Sequence, residues 1–181
     1  MSIARTIGHA LEGVHAGSED LVARKIASGM PQAITVESAA FAANASLPIS
    51  CTADGVGLPP PIGWDGVPEG TRSIVVVCED PDAPLPKPFV HWIVYGIPAS
   101  ERSVDAESTS RWIVGENSRF ASTFAPVAPP PGHGVHHYHF QVFALDTPSD
   151  LAPGLGRNTI VEHMENHVLA WGEIVGTYER R

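Results

Sequence analysis

Apolar side chains recur at helical spacing only near the two ends of the chain. Ile3, Ile7, Leu11 and Val14 fall on one stripe, and Leu21, Val22 and Ile26 on a second. Gly13 and Gly17 divide the two, so residues 3–28 are expected to form two short helices that end at Gly29-Met30-Pro31. From Ile34 and Val36 the period shortens, and a strand is expected to run on to Phe41. Residues 51–70 are rich in turn formers. Two β-branched apolar runs follow, over 73–80 and 90–97, the second closed by Pro98. Residues 99–131 have little periodicity and read as long loops with one short strand at most. The stretch 137–145 is the clearest strand. Val161, Met164, Val168 and Trp171 then share a helical stripe, which predicts a helix over 158–171, and a last strand is expected over 173–178. Strands in the middle and helices at both ends speak for antiparallel sheets with peripheral helices, not an alternating βαβ series.

Composition agrees with one folded unit. The chain has 181 residues, 43% hydrophobic and 17% charged, which suits a single domain with its own core. The expected division is an N-terminal helical segment over 1–30 and a sheet-rich body with a C-terminal helix over 34–180. The net charge of −9 repels nucleic acid and anionic membranes, and the only lysines, Lys25 and Lys87, make no polybasic patch. No apolar run reaches the length of a membrane span, and the N-terminal stretch has no signal-peptide core. Cys51 and Cys78 make no disulfide framework and are expected as reduced, buried thiols of a cytoplasmic protein.

Strand alternation sorts the polar side chains by face. Ile74, Val76, Cys78 and Asp80 share one face of the 73–80 strand. Tyr138, Phe140, Val142 and Ala144 share the more apolar face of the later strand, and His136 has their parity. Both sets are expected inward, with His137, His139 and Gln141 turned toward solvent or a partner. Carboxylates beside imidazoles at strand ends suit three chemistries. The first is an anion site, with carboxylates orienting the histidines or accepting from an ammonium group. The second is a divalent metal site, although the H-E-x-x-H spacing is missing. The third is acid–base catalysis by an Asp–His pair. The plain alternatives are a proline-fixed Asp turn at 80–84, a solvated histidine face over 133–139, and a core histidine at His91. His9, His15, His163 and His167 fall on expected helices and read as surface or packing residues. Neither a nucleophile elbow nor a phosphate-binding or dinucleotide-binding glycine loop is present, so no cofactor is expected.

Taken together, WDGVPEGT at 64–71, DPDAP at 80–84, VHWIVYGIP at 90–98, PPPGHGVHHYHFQVFAL at 129–145 and HVLAWGEIVGTYER at 167–180 resemble the phosphatidylethanolamine-binding proteins, in their bacterial, Raf kinase inhibitor-like branch. The resemblance covers about residues 34–180. It implies a mainly β fold, an antiparallel β-sandwich with peripheral helices, and a small anion or phosphate pocket at one end. Its pocket positions fall here on Asp80, Asp82, Pro84, His91, Pro130, His136 and Tyr138. His91 and His136, beside Asp80 and Asp82, are expected to be protonated toward the anion. The implied role is non-catalytic binding of a small anionic or phosphorylated ligand, without membrane insertion and as a homodimer anchored by Trp92, Trp112 and Trp171. The alternatives are a regulator acting through protein contacts and an Asp–His hydrolase. One stretch departs from the pattern. Bacterial relatives carry several glycines and a Gly-Pro step before the proline run, where this chain has residues 119–128 with no glycine at all. Glycine lets backbone N–H groups approach a ligand, so a narrower pocket or a different ligand is implied.

Overall fold

The computed structural model describes residues 3–180, and two antiparallel sheets organise them. The smaller sheet has the order β1 (Thr35–Glu37), β2 (Ile62–Asp65), β5 (Ser103–Val104). The larger has the order β6 (Ile113–Val114), β4 (Phe89–Pro98), β3 (Ser73–Asp80), β7 (His136–Leu145), β8 (Val168–Tyr178). Three helices flank them: α1 (Ile3–Ala10), α2 (Val22–Ile26) and α3 (Arg157–Met164). This is the expected mainly β sandwich. Residues 1, 2 and 181 of the expected domain lie outside the described residues.

The larger sheet is covered on both faces. Ile74, Val76, Cys78, Trp92, Phe140 and Val142 meet Ile62, Trp64 and Val104 in the core between the sheets. Val75, Val77, Ile93, Tyr95 and Phe143 meet Val22, Ala23, Ile160 and Met164 under the helices. All eight residues of β3 are therefore buried, which explains its unbroken apolar sequence. The face expected to be open is closed at Gln141. Its Oε1 accepts from the Ala23 N–H at 2.8 Å and its Nε2 donates to Glu79 Oε2 at 2.8 Å. Glu79, fully buried, also accepts from the Val22 N–H at 2.8 Å and from Arg157 Nε at 2.6 Å. One carboxylate thus caps α2 and ties α3 to the sheet.

Several boundaries differ from expectation, each for a local reason. The expected strand over 34–41 shortens to β1. The turn-rich stretch contains β2, and the 99–131 region contains β5, a 3-10 turn at Ser108–Arg111 and β6. The expected helix over 158–171 stops at Met164. Asn166 takes a left-handed φ of 65°, and β8 starts two residues later. The stripe that suggested a longer helix is produced by a bulge. Ala144 faces Ala170 but Leu145 faces Val168, so Leu169 is inserted and Val168 and Trp171 reach the same helix-covered core.

The N-terminal arm lies along the loops at one end of the larger sheet. The Ala16 N–H donates to Ala83 O at 3.0 Å and the Gly17 N–H to Pro81 O at 3.0 Å. α1 presses Gly8 so closely on the 131–133 turn that a Cβ there would lie 2.0 Å from Pro131 O.

Candidate functional site

Three strand ends meet where β3 finishes and β4 and β7 begin. Asp80 is the last residue of β3, His136 the first of β7, and Tyr138 follows on the same face, as alternation predicts. His91 reaches them by a different route. Cys78 faces Trp92 but Glu79 faces Val90, so His91 is the inserted residue of a bulge in β4. Regular pleating would have grouped it with Ile93 under the helices. The bulge turns it to the other face, where its ring meets Tyr138 edge-on at 5.2 Å and Phe89 at 4.7 Å.

These side chains line a cavity of about 230 Å³. Asp80, His91, His136 and Tyr138 form its polar floor, Pro84, Leu85, Phe89 and Pro130 its apolar walls, and Arg119 stands at the side. Six of the seven expected site residues line it. Asp82 does not. Its Oδ2 accepts from the backbone N–H of His137 at 2.7 Å and from His137 Nδ1 at 2.8 Å, so it fastens the 80–84 turn to β7 from outside. The turn itself is closed by the Asp82 N–H donating to Asp80 Oδ1 at 2.9 Å.

Most of the ring nitrogens are already occupied. His91 Nδ1 donates to Ala125 O at 2.7 Å and leaves Nε2 for the cavity. His136 Nδ1 pairs with Asp80 Oδ2 at 2.7 Å, and its Nε2 lies 2.7 Å from His133 Nδ1. His133 Nε2 donates to Leu11 O at 2.8 Å. His133 is buried, which speaks against the alternative of a solvated histidine face at that position, while His137 beyond it is exposed. His15 also belongs here, with its ring edge-on to His133 at 5.4 Å.

Electrostatics change the expected roles. Burial holds the His91 imidazole below its usual pKa, against the Ala125 carbonyl and Asp80, which act the other way. His91 is therefore disposed to be neutral, contrary to the protonated form expected from its acidic neighbours. Burial first, then the charge of Asp80, pushes the Tyr138 phenol far above its usual range, so it keeps its hydrogen. That hydroxyl is buried and has no hydrogen-bond partner among the described residues. Cys51 and Cys78 are free, buried thiols, both raised by burial. Among the described residues no group of three or more His, Cys, Asp or Glu side chains is placed to hold a metal ion.

The glycine-poor loop is built on Asn117. Its Oδ1 accepts from the Arg119 N–H at 2.8 Å, and its Nδ2 donates to Thr123 O at 2.8 Å. Phe120 takes a left-handed φ of 60° and points to solvent, and the Arg119 guanidinium sits 5.8 Å from the Phe89 ring centre. The loop contributes a guanidinium in place of glycine flexibility. Arg119 and His133 are the site residues that sequence reasoning did not select. Arg119 had a signal, being a cation inside the departing stretch of an acidic chain.

Comparison with known proteins gives the same fold. The phosphatidylethanolamine-binding protein family model matches residues 37–179. The chain belongs to that family. A UPF0098 protein of Pyrococcus abyssi is 38% identical over 151 residues, covering 80% of this chain and 84% of the relative. A UPF0098 protein of Chlamydia trachomatis is 30% identical over 147 residues, covering 79% and 97%. Among solved structures, a putative phosphatidylethanolamine-binding protein homolog from Chlamydia trachomatis matches with a TM-score of 0.77 at 29% identity, covering 83% of this chain and 99% of that one. Escherichia coli YbcL, described as a member of the mammalian family, matches with a TM-score of 0.75 at 29% identity, covering 82% and 99%. The family match begins at residue 37, so the N-terminal arm lies ahead of it. Among the described residues no helix is long and apolar enough to cross a membrane.

Proposed function

We propose that this member of the phosphatidylethanolamine-binding protein family binds a small anion, such as phosphate or the head of a phosphorylated ligand, and does not transform it. The observation that carries this reading is the Tyr138 hydroxyl, a buried donor without a partner in the wall of a cavity that also holds a guanidinium. An unsatisfied buried polar group costs about 1–3 kcal/mol, and an anion accepting from it would recover that cost. Arg119 supplies the counter-charge, and His91 Nε2 becomes a further donor when the anion draws a proton onto the ring. Pro84, Leu85 and Phe89 give an apolar lip for whatever the anionic group is attached to. The absence of turnover is supported by the same geometry. Both nitrogens of His136 are engaged, the phenol of Tyr138 is a poor acid, and the free nitrogen of His91 has no serine, threonine or cysteine beside it in the cavity lining to activate.

The same reading includes a homodimer and residence in the cytoplasm. Trp92 and Trp171 are buried and so are not the anchors, while Trp112 is partly buried against the core. Ile49 and Leu58 are exposed and are brought together by the Leu58 N–H donating to Ser50 O at 2.9 Å, which makes that strip the candidate contact. Cytoplasmic residence is supported by the two free thiols. The test of the binding reading is calorimetric titration with inorganic phosphate and with phosphoethanolamine, alongside an assay for phosphomonoester hydrolysis. Saturable heat at one site without hydrolysis is the expected result. Hydrolysis lost in Tyr138→Phe or Asp80→Asn would overturn the non-catalytic reading. No binding of either probe would overturn the anion site.

A further inference from the structure

The Asp80–His136–His133 chain contains one hydrogen more than two neutral imidazoles can provide. Leu11 O is a carbonyl and only accepts, so His133 Nε2 carries a hydrogen. The contact of His136 Nδ1 with Asp80 Oδ2 at 2.7 Å needs a second. The contact of His133 Nδ1 with His136 Nε2 at 2.7 Å needs a third. Asp80, His136 and His133 together therefore sum to zero charge, wherever the added proton resides. Without that proton two nitrogen lone pairs face each other at hydrogen-bond distance.

The ring at the end of this chain also holds the arm. His133 stands between Gly132 and Gly134, whose left-handed φ values of 80° and 104° make the turn that folds it back against His136. The arm grips both cavity-forming segments, through Ala83 and Pro81 on one side and the 131–133 turn on the other. We propose that His133 is a positioning residue of the pocket, joined to His136 by one shared proton, and that the N-terminal arm is docked on the site while that proton is present and loosened when it leaves.

The sign follows from proton count. The docked arm binds one proton more than the undocked arm, so docking is favoured at low pH and lost as pH rises. The titratable and charged groups around the pair are Asp80 from β3, Asp82 from the following turn with His137 bonded to it, His91 from β4, Tyr138 from β7, His15 from the arm, His9 and Arg5 of the arm against Gly132, and Arg180 beyond β8, whose carbonyl accepts from the Gly132 N–H at 2.9 Å. Asp80 favours the shared proton. His91, held neutral by burial, does not oppose it.

The experiment uses the full chain without ligand. Ring-nitrogen NMR of labelled histidines, followed from acid to alkaline pH, should show the His133–His136 pair sharing a hydrogen at the acid end and without it at the alkaline end. Amide exchange at Ala16 and Gly17, corrected for intrinsic rates, should speed up by as much as about tenfold per pH unit once the proton is gone. His133→Phe, which keeps a ring but cannot carry the proton, should remove this pH dependence while leaving the protection of β7 unchanged. Gly8→Val, which displaces α1 from Pro131 O, should speed exchange at every pH. Two neutral rings throughout the range, or exchange at Ala16 and Gly17 with no excess pH dependence, would overturn the proposal even if His133→Phe does not fold. The positioning role rests on the anion-binding reading and is measured separately, as about tenfold weaker phosphate affinity in His133→Phe. Phosphate binding unchanged by that substitution would refute the positioning role. Absent phosphate binding beside a pH-linked arm would refute the anion reading and leave the arm inference standing.

Discussion

Tyr138→Phe tests the anion reading through two effects of opposite sign. Tyr138 is fully buried at the start of β7, edge-on to His91 and stacked on His136 at 6.5 Å, so the ring is held by packing that phenylalanine reproduces. The hydroxyl has no partner among the described residues. Removing a buried donor that makes no bond relieves about 1–3 kcal/mol of desolvation, against which the small hole left by one oxygen counts for less. The ligand-free variant should be more stable by about 1 kcal/mol. With a urea m-value of about 2 kcal/mol per molar, the midpoint rises by about 0.5 M. Tyr95→Phe is the internal control. Tyr95 is equally buried, but its hydroxyl donates to Ala152 O at 2.5 Å and accepts from the Leu155 N–H at 3.3 Å, so its removal should destabilise by about 1–3 kcal/mol. Phosphate affinity should move the other way. A hydrogen bond to a charged partner contributes about 1.5–3 kcal/mol, so Tyr138→Phe should weaken binding by roughly tenfold to a hundredfold. Urea unfolding and calorimetry on the same preparations decide the matter. A Tyr138→Phe protein that is less stable than the wild type and binds phosphate equally well would refute the reasoning, since the hydroxyl would then serve the fold.

Four further outcomes are expected. Because burial lowers the pKa of His91, the unfolded chain takes up its proton first as pH falls, so the stability tied to this group is present above about pH 6.5 and is lost below it; the unfolding free energy of His91→Gln should fall less steeply there. Phosphate binding, by the same linkage, should strengthen as pH falls through that window and take up protons, read as a dependence of the calorimetric heat on buffer ionisation. Arg119→Gln should weaken phosphate binding by about fivefold, a value reduced for the exposure of the guanidinium, and should flatten the salt dependence while changing stability by less than about 1 kcal/mol. Glu79→Ala should cost about 3–5 kcal/mol in urea unfolding by stranding the half-buried Arg157, and Glu79→Gln combined with Arg157→Met should recover most of it; full additivity of the single substitutions would show that the pair is not coupled.

The parts of the fold legible in the sequence were those in which one physical pattern acted alone. The run over 73–80 is apolar on both faces because both faces are covered, and its composition admits little but a buried strand. The last strand misled because a bulge at Leu169 gives strand residues three apart a common face, which is the spacing of a helical turn. Short edge strands such as β5 and β6 are two residues long and carry no period that a sequence can show. They are set by pairing to β2 and β4, a tertiary effect.

The site divides along the same line. Asp80, His136 and Tyr138 were placed correctly because β3 and β7 keep their alternation up to the strand ends. His91 reaches the same cavity only because β4 breaks alternation there, so its motif position located it while its parity would not have. What the sequence could not convey is the chemical state of the histidines. An imidazole has two nitrogens, and the role of each is decided by what the other touches. For His91 that is a carbonyl 34 residues away at Ala125, and for His133 a carbonyl 122 residues away at Leu11. Both carbonyls belong to backbone, which any residue type supplies, so no side chain in the sequence marks them. The free donors of the cavity are consequently not the histidines that drew attention first. They are the hydroxyl of Tyr138 and the guanidinium of Arg119, joined by the cavity-facing nitrogen of His91 only once that ring takes up a proton.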